Sequence, residues 1–496
     1  MDLLDLQKRL KIEAISNDFK GNFIGISYNS RVVKPGDIFV AIRGEVVDGH
    51  AFLDEAKRRG AVSAIVEDPE GCRLPYIQVQ DSRAALASVS ALFYSDPSKK
   101  LKVIGITGTK GKTSVAWILG HILRTAGKKC AVLGTLGLRK QNGTVIDFNL
   151  TTPLALEIHR EMKDLVDNGY DSLVMEVTAH GIHLKRILDV HFDHAIFTNI
   201  GQDHLDFFGW EDYVATKRRF FDDVTISNVK EGLAILNADD EYFGTFAVAS
   251  HDKYLSYALE NKADVTLGAR ESDGSYLMET PDGFLRFIPK VSGRFNLLNI
   301  LAASASAVTM GVPLGDISAA LNSFEGVPGR YQRITDDKTP FSVFVDYAHN
   351  PQSVEAVLQD ARHAKFNRIL AIVGCGGDRD KTKRSQMGRI ARELVDELII
   401  TSDNPRSEDP MKIIEDIVVG VKEAESKIPY HVEPDREKAI ALGVSRLKHN
   451  DALFILGKGH EDYQILATGK IKFDDARIAR KYINRRLRDE NKGENA

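Results

Sequence analysis

Short apolar runs alternate with segments of helical periodicity along most of the chain. Between 99 and 331 the runs VIGIT, CAVLGT, SLVMEV, HAIFTNI and LAILNAD have the length of buried strands, and amphipathic segments separate them. Parallel neighbours need long crossover connections, so buried strands joined by helices form a parallel sheet that is covered on both faces. The pattern predicts an α/β fold with a doubly wound parallel sheet at its centre.

Length and two polar breaks divide the chain further. At 496 residues it exceeds one ordinary core, and a chain of this length has about three domains. The stretches SDPSKK (95–100) and PGRYQR (328–333) are candidate linkers. We expect a small α/β domain at 1–98, a central domain at 99–331 and a Rossmann-like α/β domain at 332–496, and we expect the polar tail after 484 to fray.

Composition excludes several classes of function. The net charge is −4, from 66 basic and 70 acidic residues, and no long basic block points to nucleic acid. Cys72, Cys130 and Cys375 are scattered, without zinc spacing, which favours a reducing cytoplasm. The N-terminus lacks the pattern of a signal peptide, and no apolar run approaches the length of a membrane span.

The stretch GITGTKGKTS (105–114) predicts a phosphate site. It lies between a strand-like run and VAWILGHILRTAG, whose apolar residues recur at helical spacing. Backbone N–H groups of such a turn can face a phosphate, with Lys112 adding charge and Thr113 a hydroxyl for Mg²⁺. Ile106 occupies the first glycine position of the strict pattern, and a plain turn is the alternative. The predicted loop comprises Gly108, Thr109, Lys110, Gly111, Lys112, Thr113 and Ser114. The central domain is therefore expected to resemble P-loop ATPases.

Strand ends are where ligands bind in open α/β sheets. Glu176 ends the run SLVME and is a candidate Mg²⁺ ligand beside Thr113. His204 follows the next run at a short distance. Taken alone, each residue equally fits a structural role, as a capping acid or a buried histidine.

An ordered set of motifs resembles the Mur ligases. GTKGKTS, TTP, EVTAHGIHLKR, FTNIGQDHLDFFG, YVATK, GRFNLLNILAA, GVPGRYQ, DYAHNP, GCGGDRDKTKR, DNPR and GKGHEDYQ follow one another from about Ser30 to Gln464. The closest resemblance is to members that use ATP and Mg²⁺ to add meso-diaminopimelate to UDP-N-acetylmuramoyl-L-alanyl-D-glutamate. It implies an acyl-phosphate intermediate, a role in peptidoglycan precursor synthesis, small-molecule substrates only, and a monomer without nucleic-acid or membrane partners.

The resemblance also implies a catalytic set. YVATK resembles the segment whose lysine is carbamylated in these ligases, which gives Lys217 two anionic oxygens for Mg²⁺. Without the family, a solvated helix lysine is the simpler interpretation. The implied catalytic residues are Lys112, Glu176, His204 and Lys217, and the implied metal ligands are Thr113, Glu176, His204 and carbamylated Lys217.

Nucleotide and UDP-substrate residues follow from the same resemblance. Asn296 and Asn299 match adenine-side asparagines, although helix capping explains them equally well; Arg330 and Asp346 are expected to reach ATP. The motif EVTAH departs from the commoner E-V-S-S-H, so Ala179 is left out. The implied UDP-substrate residues are Ser30, Glu45, Val46, Val47, Thr151, Thr152, Thr178 and Arg186.

The amino acid to be added is expected to be selected by DNPR. Diaminopimelate differs from lysine by a distal carboxylate, which Arg406 or Arg379 can bind with a bidentate guanidinium. Without the resemblance, DNPR is equally a proline turn with a surface arginine. The implied diaminopimelate residues are Arg379, Asp403, Asn404, Pro405, Arg406, Gly457 and Glu461.

Other functions were weighed against this one. Folylpolyglutamate synthetases share the phosphate loop and the carbamylated lysine, but are not expected to carry the uridine stretch or DNPR. A nucleotide-dependent switch protein leaves the strand-end motifs of the third domain unexplained. An inactive scaffold does not explain why Lys112, Glu176, His204 and Lys217 are all present.

Overall fold

A computed structural model describes residues 3–44, 47–201, 207–291, 293–336 and 338–493, and these form two compact units. The first unit comprises Met1–Ile288 and Leu298–Asn322, and the second comprises Pro289–Leu297 and Ser323–Ala496. The domain boundary expected at residue 98 lies inside the first unit. The boundary expected at residue 331 lies eight positions after Ser323, where the longer segment of the second unit begins. The domain limits drawn from the sequence stay a prediction.

The first unit begins with a small, mostly parallel sheet. Its order is β1-β5-β4-β3-β2, and β1 alone among these strands pairs antiparallel to its neighbour. The strands are β1 Ile12–Ile15, β2 Gly25–Ser27, β3 Asp37–Val40, β4 Ser63–Val66 and β5 Tyr76–Val79; the helices are α1 Leu3–Arg9, α2 Leu53–Arg58 and α3 Ser82–Phe93. A 3₁₀ turn at Gly49–Phe52 leads directly into α2.

A central sheet forms the main core of the first unit. Its order is β16-β15-β14-β13-β12-β11-β6-β10-β7-β8-β9, parallel from β14 to β7 and antiparallel at both ends. The strands are β6 Lys102–Thr107, β7 Cys130–Gly134, β8 Gly137–Arg139, β9 Val145–Ile146, β10 Ser172–Glu176, β11 His194–Phe197, β12 Leu233–Asn237, β13 Tyr254–Ala258, β14 Val265–Leu267, β15 Tyr276–Thr280 and β16 Gly283–Phe287. The helices are α4 Lys112–Thr125, α5 Ala155–Asp167, α6 Ala179–His183, α7 Trp210–Thr225, α8 Phe243–Ala249, α9 Arg294–Thr309 and α10 Leu314–Ser323.

The second unit is built on a third sheet with the order β17-β18-β22-β19-β20-β21, parallel from β18 onward. A hairpin of β23 and β24 follows it. The strands are β17 Gln332–Arg333, β18 Ser342–Asp346, β19 Ile369–Val373, β20 Glu397–Ile400, β21 Tyr430–Val432, β22 Ala452–Leu456, β23 Tyr463–Leu466 and β24 Gly469–Lys472; the helices are α11 Pro351–His363, α12 Thr382–Leu394, α13 Pro410–Glu423, α14 Arg436–Arg446 and α15 Asp475–Gly493.

Local sequence explains most of these elements. The strand β10 is buried along its whole length, as its uninterrupted apolar run requires in a sheet covered on both faces. The helix α11 begins with a capping box between Asn350 and Ser353 and with Pro351 in its first turn. The tail departs from expectation, because α15 continues to Gly493 and Arg486 donates to the Val444 carbonyl at 2.7 Å.

Strand order fixes where a ligand can bind. β6 lies between β10 and β11, so the chain leaves β6 toward one side of the sheet and later returns on the other. Such a reversal opens a crevice beyond the carboxyl ends of the strands. The loops after β6, β10 and β11 therefore meet at one edge. No helix in the described ranges is long and apolar enough to cross a membrane.

Candidate active site

The loop between β6 and α4 has the backbone geometry of a phosphate cradle. Gly108 and Gly111 both have positive φ, +146° and +86°, and Gly111 caps α4. A Cβ on Gly108 would overlap the Thr198 hydroxyl, and one on Gly111 would lie 2.5 Å from Asn299 Oδ1. Only glycine fits at these two positions, and the loop closes tightly over the start of a helix.

Two lysines converge on this loop. Lys112 Nζ donates to the carbonyls of Gly108 and Thr109 at 2.8 Å each. Lys217 Nζ, from α7, donates to the same Gly108 carbonyl at 2.8 Å and lies over the Tyr213 ring. Lys217 is buried, with 1% of its surface exposed. Both side chains therefore reach the loop at which a phosphate would bind.

Glu176 connects the phosphate loop to the next strands. Its Oε2 accepts a hydrogen bond from Thr113 Oγ1 at 3.0 Å, and its Oε1 accepts one from the Thr135 backbone N–H at 2.9 Å. The carboxylate is 2% exposed. Thr135 Oγ1 lies 3.2 Å from both Glu176 Oε2 and Thr151 Oγ1. A buried carboxylate beside a loop hydroxyl is the oxygen-rich setting that Mg²⁺ prefers.

The predicted UDP-substrate residues Thr152, Thr178 and Arg186 form one hydrogen-bond network with Glu176. Thr152 Oγ1 donates to the Glu176 carbonyl at 3.0 Å and lies 3.0 Å from Thr178 Oγ1. Arg186 Nη1 donates to the Thr152 carbonyl at 2.9 Å. Thr178 also caps α6 by accepting from the Gly181 N–H. Glu176 thus connects these residues to the phosphate loop, because its carboxylate accepts from Thr113 and its carbonyl accepts from Thr152.

Four of the predicted UDP-substrate residues belong to the part of the chain that forms the small sheet, and the structure describes two of them, Ser30 and Val47. Ser30 is 8% exposed and starts a 3₁₀ turn that Asn29 caps. Val47 is exposed, and its carbonyl accepts from the Gly44 N–H at 3.0 Å. Glu45 and Val46 lie outside the described residues, as does the predicted ligand His204.

The predicted nucleotide residues divide between the two units. Asn296 and Asn299 lie on α9, both 6% exposed, and Asn299 belongs to the first unit, where it lies near Gly111. In the second unit Arg330 lies over the Tyr347 ring, 4.8 Å from its centroid. Asp346 accepts hydrogen bonds from the N–H groups of Tyr331 and Ala348 at 2.6 and 2.7 Å. These bonds favour a role for Asp346 in shaping the loop after β18.

The DNPR residues lie at the carboxyl edge of the third sheet. Asn404 Oδ1 accepts from Ile465 N at 2.9 Å and Lys458 Nζ at 3.2 Å, and its Nδ2 donates to Glu461 Oε2 at 2.8 Å. A Cβ on Gly457 would lie 2.5 Å from Asp403 Oδ2. Asn404 is 3% exposed. Its hydrogen bonds favour a role in holding Glu461 and β23 rather than one in direct substrate contact.

The two predicted arginines differ in setting. Arg379 is exposed, and its Nη1 lies 3.4 Å from the Asp378 carbonyl. Arg406 is partly buried, has a φ of +52°, and donates from Nη1 to the Gly377 carbonyl at 2.8 Å. Pro405 stands between Asn404 and Arg406, with its carbonyl against Gly377.

Three residues that the sequence did not predict join the predicted groups, two in the first unit and one in the second. Thr135 joins Glu176 to Thr151, Asn199 accepts from the Lys110 N–H at 2.9 Å, and the fully buried Lys458 pairs with Glu461 at 3.0 Å. Thr135 and Asn199 directly follow apolar strand runs, which is a signal that the sequence contains. Lys458 also follows such a run, but its partners depend on tertiary structure.

Among the described residues, the site is identified neither by a group of metal-binding side chains nor by the volume of a cavity. Among the residues described, no group of three or more His, Cys, Asp or Glu side chains could hold a metal ion. A cavity of about 870 Å³ lies elsewhere in the first unit, between α1, α3 and the end of α7, and no predicted site residue lines it. The side-chain network at the strand ends is the stronger guide, because it joins groups with complementary chemistry.

Family models match three consecutive stretches of the chain. They are described as "Mur ligase family, catalytic domain" at 22–94, "Mur ligase middle domain" at 106–307, and "Mur ligase, glutamate ligase domain" at 329–459. The first stretch contains all of the small sheet except β1, the second contains the central sheet from the end of β6 onward, and the last contains the whole third sheet. They agree with the α/β, three-domain architecture that the sequence predicted.

Full-length relatives support the same assignment. The UDP-N-acetylmuramoyl-L-alanyl-D-glutamate–2,6-diaminopimelate ligase of Bacillus velezensis is 38% identical over 490 residues, which cover 97% of this chain and 99% of the relative. The enzyme of the same name from Clostridioides difficile is 38% identical over 498 residues, covering 98% and 100%.

Solved structures agree with this assignment. A structure of UDP-N-acetylmuramoyl-L-alanyl-D-glutamate–2,6-diaminopimelate ligase superposes with a TM-score of 0.70 at 29% identity, covering 96% of this chain and 98% of that one. Mycobacterium tuberculosis folylpolyglutamate synthase is similar in fold alone, with a TM-score of 0.59, 16% identity, and coverage of 80% and 94%. With relatives of this identity along its whole length, the chain belongs to the Mur ligase family.

Proposed function

We propose that this chain is the ATP-dependent ligase that joins 2,6-diaminopimelate to UDP-N-acetylmuramoyl-L-alanyl-D-glutamate in peptidoglycan precursor synthesis. The names of its full-length relatives supply the reaction. The contacts between residues of this chain are the reason to assign the same reaction to it. The free thiols Cys72, Cys130 and Cys375 are consistent with a reducing compartment, the cytoplasm.

The single observation that carries the proposal is the set of contacts made by Glu176. One buried carboxylate accepts from the phosphate-loop hydroxyl of Thr113 and, through Thr135, meets Thr151. Its own carbonyl accepts from Thr152. A phosphate donor bound at the loop and a carboxylate substrate bound at the threonines would therefore meet within reach of each other, which is what phosphoryl transfer requires.

The chemistry proceeds in two steps. A carboxylate oxygen of the D-glutamate side chain attacks the γ-phosphorus of ATP, the bond to the β-phosphate breaks, and ADP leaves with an acyl phosphate formed. The amine of diaminopimelate then attacks the acyl carbon, the C–O bond to phosphate breaks, and the amine loses a proton. Neither step needs a protein nucleophile, so positioning and charge neutralisation are the protein's main contributions.

The phosphate loop supplies that neutralisation. Lys112, which contacts the Gly108 carbonyl of the loop, would bring a positive charge to a phosphate bound there. Thr113, Glu176, His204 and Lys217, the last carbamylated, would hold Mg²⁺, which supplies further positive charge to the phosphates when bound. Carbamylation would convert the buried ammonium of Lys217 into an oxygen donor.

The amino acid would be selected in the second unit. Asp403 and Glu461 would supply carboxylates at the edge of the third sheet that also carries Arg406, and Asn404, which donates to Glu461, lies two positions before Arg406. Carboxylates suit the distal ammonium of diaminopimelate, and a guanidinium suits its distal carboxylate. Lysine has no such carboxylate, so it would leave the arginine unpaired.

Phosphate release tests this function. We expect release to require ATP, the UDP-linked dipeptide and diaminopimelate together, with lysine a poor substitute. A protein that releases phosphate without the dipeptide, or that uses lysine equally well, would contradict the proposal. The mass of the Lys217 peptide, measured from protein kept at neutral pH, tests the carbamate separately.

A matched pair of variants tests the phosphate loop. Lys112→Ala is expected to lower the turnover number about 100-fold or more, since it removes charge at the transferred phosphate. Lys128→Ala, an exposed lysine beyond the end of α4, is the control and should keep its turnover. Calorimetry should give both variants the same affinity for the UDP-linked dipeptide.

A further inference from the structure

Two loops at the carboxyl edge of the third sheet are tied to each other. Loop 376–380 follows β19 and carries Arg379; loop 403–408 follows β20 and carries Arg406. The Gly377 N–H donates to the Asn404 carbonyl at 2.9 Å, and Arg406 Nη1 returns a bond to the Gly377 carbonyl at 2.8 Å. Neither loop can move without the other.

Beneath both loops lies a buried arginine that no substrate role explains. Arg384, on α12, is 1% exposed. Its Nη1 and Nη2 donate to the two carboxylate oxygens of Glu408 at 3.1 and 2.9 Å, a bidentate pair, and Nη2 also reaches the Gly376 carbonyl at 3.3 Å. Arg384 thus holds the first residue of one loop and the last residue of the other.

Glu408 extends the same connection. Its Oε1 accepts from the Asp378 N–H at 2.6 Å, while Asp378 Oδ1 accepts from Ser407 Oγ at 2.7 Å. The hydrogen bonds from Arg384 and from the Asp378 N–H lower the pKa of Glu408 to about 2. The pair is therefore fully ionised at every pH at which the protein is expected to act.

The backbone of these loops needs such support. Asp378 and Arg406 both have a φ of +52°, a left-handed conformation that is unfavourable for residues other than glycine. Strained residues persist only where their surroundings fix them, and they cluster at functional sites. Here the left-handed conformation at Arg406 is combined with a guanidinium that already touches loop 376–380.

Stability alone is a weak reason to bury this charge. Replacing a buried ion pair with apolar residues of similar size is often neutral or stabilising. The third sheet does not need this pair for its packing, because α12 and α13 already bury Met387, Ile413 and Ile417 against the sheet. Arg384 Nη1 also donates to Asp416 Oδ2 on α13 at 2.8 Å, so Arg384 connects the two loops to each other and to the helix that follows the second loop.

We propose that Arg384 and Glu408 are positioning residues that hold Arg379 and Arg406 in one fixed arrangement for the distal carboxylate of the amino-acid substrate. This inference rests on the proposed function for its substrate, but the clamp itself is a property of the fold. Arg406 Nη1 already donates to the Gly377 carbonyl. A substrate carboxylate would therefore bind at the other edge of the guanidinium, formed by Nε and Nη2.

Glu408→Gln and a matched control test the clamp directly. Asp451 also accepts from an arginine, Arg368 Nη2 at 2.6 Å, and from a backbone N–H, that of Lys448 at 2.7 Å, but at the opposite edge of the same sheet. In native-state hydrogen exchange, Glu408→Gln should speed exchange at Gly377, Asp378 and Ser407 about tenfold or more, and Asp451→Asn should not. Unchanged protection in Glu408→Gln would overturn the clamp, whatever reaction the protein catalyses.

Kinetics test what the clamp is for. Glu408→Gln and Arg384→Lys should raise the KM for diaminopimelate about tenfold while the KM values for ATP and UDP-dipeptide stay within about twofold, and should lower the preference for diaminopimelate over lysine. Arg384→Lys keeps the charge but loses the fork, so it should be the milder change. Asp451→Asn should leave the KM for diaminopimelate unchanged.

The outcomes separate the two proposals. Faster exchange with an unchanged KM for diaminopimelate would overturn the positioning role while leaving the clamp in place. A wild-type protein with no diaminopimelate-dependent phosphate release would overturn the proposed function instead, and the exchange experiment would still decide the clamp. An equal rise in all three KM values would indicate general damage and would also count against positioning.

Discussion

At Arg406 a strained backbone, a partly buried guanidinium and a neighbouring loop come together. The residue has a φ of +52°, and its Nη1 donates to the Gly377 carbonyl at 2.8 Å. Arg406→Ala should lower the ratio of kcat/KM for diaminopimelate over lysine by about 30- to 150-fold, since a charge-assisted bond to a carboxylate is worth roughly 2–3 kcal/mol. Steady-state kinetics with both amino acids measures this ratio.

The control for that variant is Arg362→Ala, which removes a partly exposed arginine paired with Asp396 in the same unit. Its ratio should stay within about twofold of wild type. If Arg406→Ala behaves in the same way, Arg406 does not bind the distal carboxylate, and DNPR is an ordinary turn.

His194 makes the first unit sensitive to acid. It begins β11, is 7% exposed, and has its Nδ1 2.8 Å from Ser306 Oγ; burial lowers its pKa from 6.5 to about 4. The unfolded chain binds the proton more readily, so stability is fully present above about pH 6.5 and declines as the pH falls toward about pH 4. The loss should reach roughly 3 kcal/mol for this residue.

His194→Gln should remove that part of the pH dependence, measured as the free energy of unfolding of the first unit in urea. Burial also lowers the pKa of His159 to about 4, so the variant should retain the part of the pH dependence that His159 contributes. An identical slope in wild type and His194→Gln would show that the ring is not the group that titrates.

At the scale of elements, the turn from β6 to α4 depends on Gly108. Its φ is +146°, and a Cβ there would overlap the Thr198 hydroxyl. Gly108→Ala should lower kcat/KM for ATP about 100-fold or more, because a displaced loop no longer holds the phosphates in position. Gly143→Ala is the matched control, since it has a φ of +88° but no atom within 4 Å of an added Cβ.

The control should lose only stability, roughly 1–2 kcal/mol for the left-handed backbone, with activity near wild type. Thermal unfolding and kinetics on both variants distinguish the two effects. Equal losses of activity would mean that the Thr198 contact does not shape the phosphate loop.

The sequence predicted the buried parallel strands of this region well, and it made no prediction of the order in which they pair. The runs behind β6, β7, β10, β11 and β12 were all identified, because a buried strand needs an unbroken apolar stretch. β8, β9 and β14 were missed because they are two or three residues long, and β15 and β16 because they face solvent on one side; β13 was also missed, and its apolar run is interrupted by Ser256. These are the strands for which local pattern is weakest.

At the scale of the whole molecule, each compact unit has a core of its own. Leu236 in β12 and Leu370 in β19 are both fully buried, one in each unit. Calorimetry should show more than one unfolding transition, as is common for chains of several domains. Leu236→Ala and Leu370→Ala should each destabilise its own unit by about 2–5 kcal/mol and shift a different transition.

A single transition that both variants shift equally would show that the units unfold together. Adding a nucleotide that binds at the phosphate loop should raise the transition of the first unit, by the linkage between binding and folding. The Lys112→Ala protein is the control for this shift.

Local sequence by itself predicted the class of fold and the phosphate loop, and the resemblance carried by the ordered motifs supplied most of the other candidate site residues. Strand and helix periodicity, the glycine-rich turn and the order of the motifs are short-range properties, and each can be identified within a few turns of chain. They placed Lys112, Thr113 and Glu176 at strand or helix ends. His204, Glu45 and Val46 remain predictions, because they lie outside the described residues.

Tertiary structure alone decided which of these groups meet. Thr113 and Glu176 are 63 positions apart, and Asn404 and Glu461 are 57 apart, yet both pairs are hydrogen-bonded. The placement of β6 between β10 and β11 brings the first pair together, and the fold of β23 against the DNPR loop brings the second. Such contacts depend on sheet order and on burial of charge, which are set by the packing of the whole unit and leave no local pattern in the sequence.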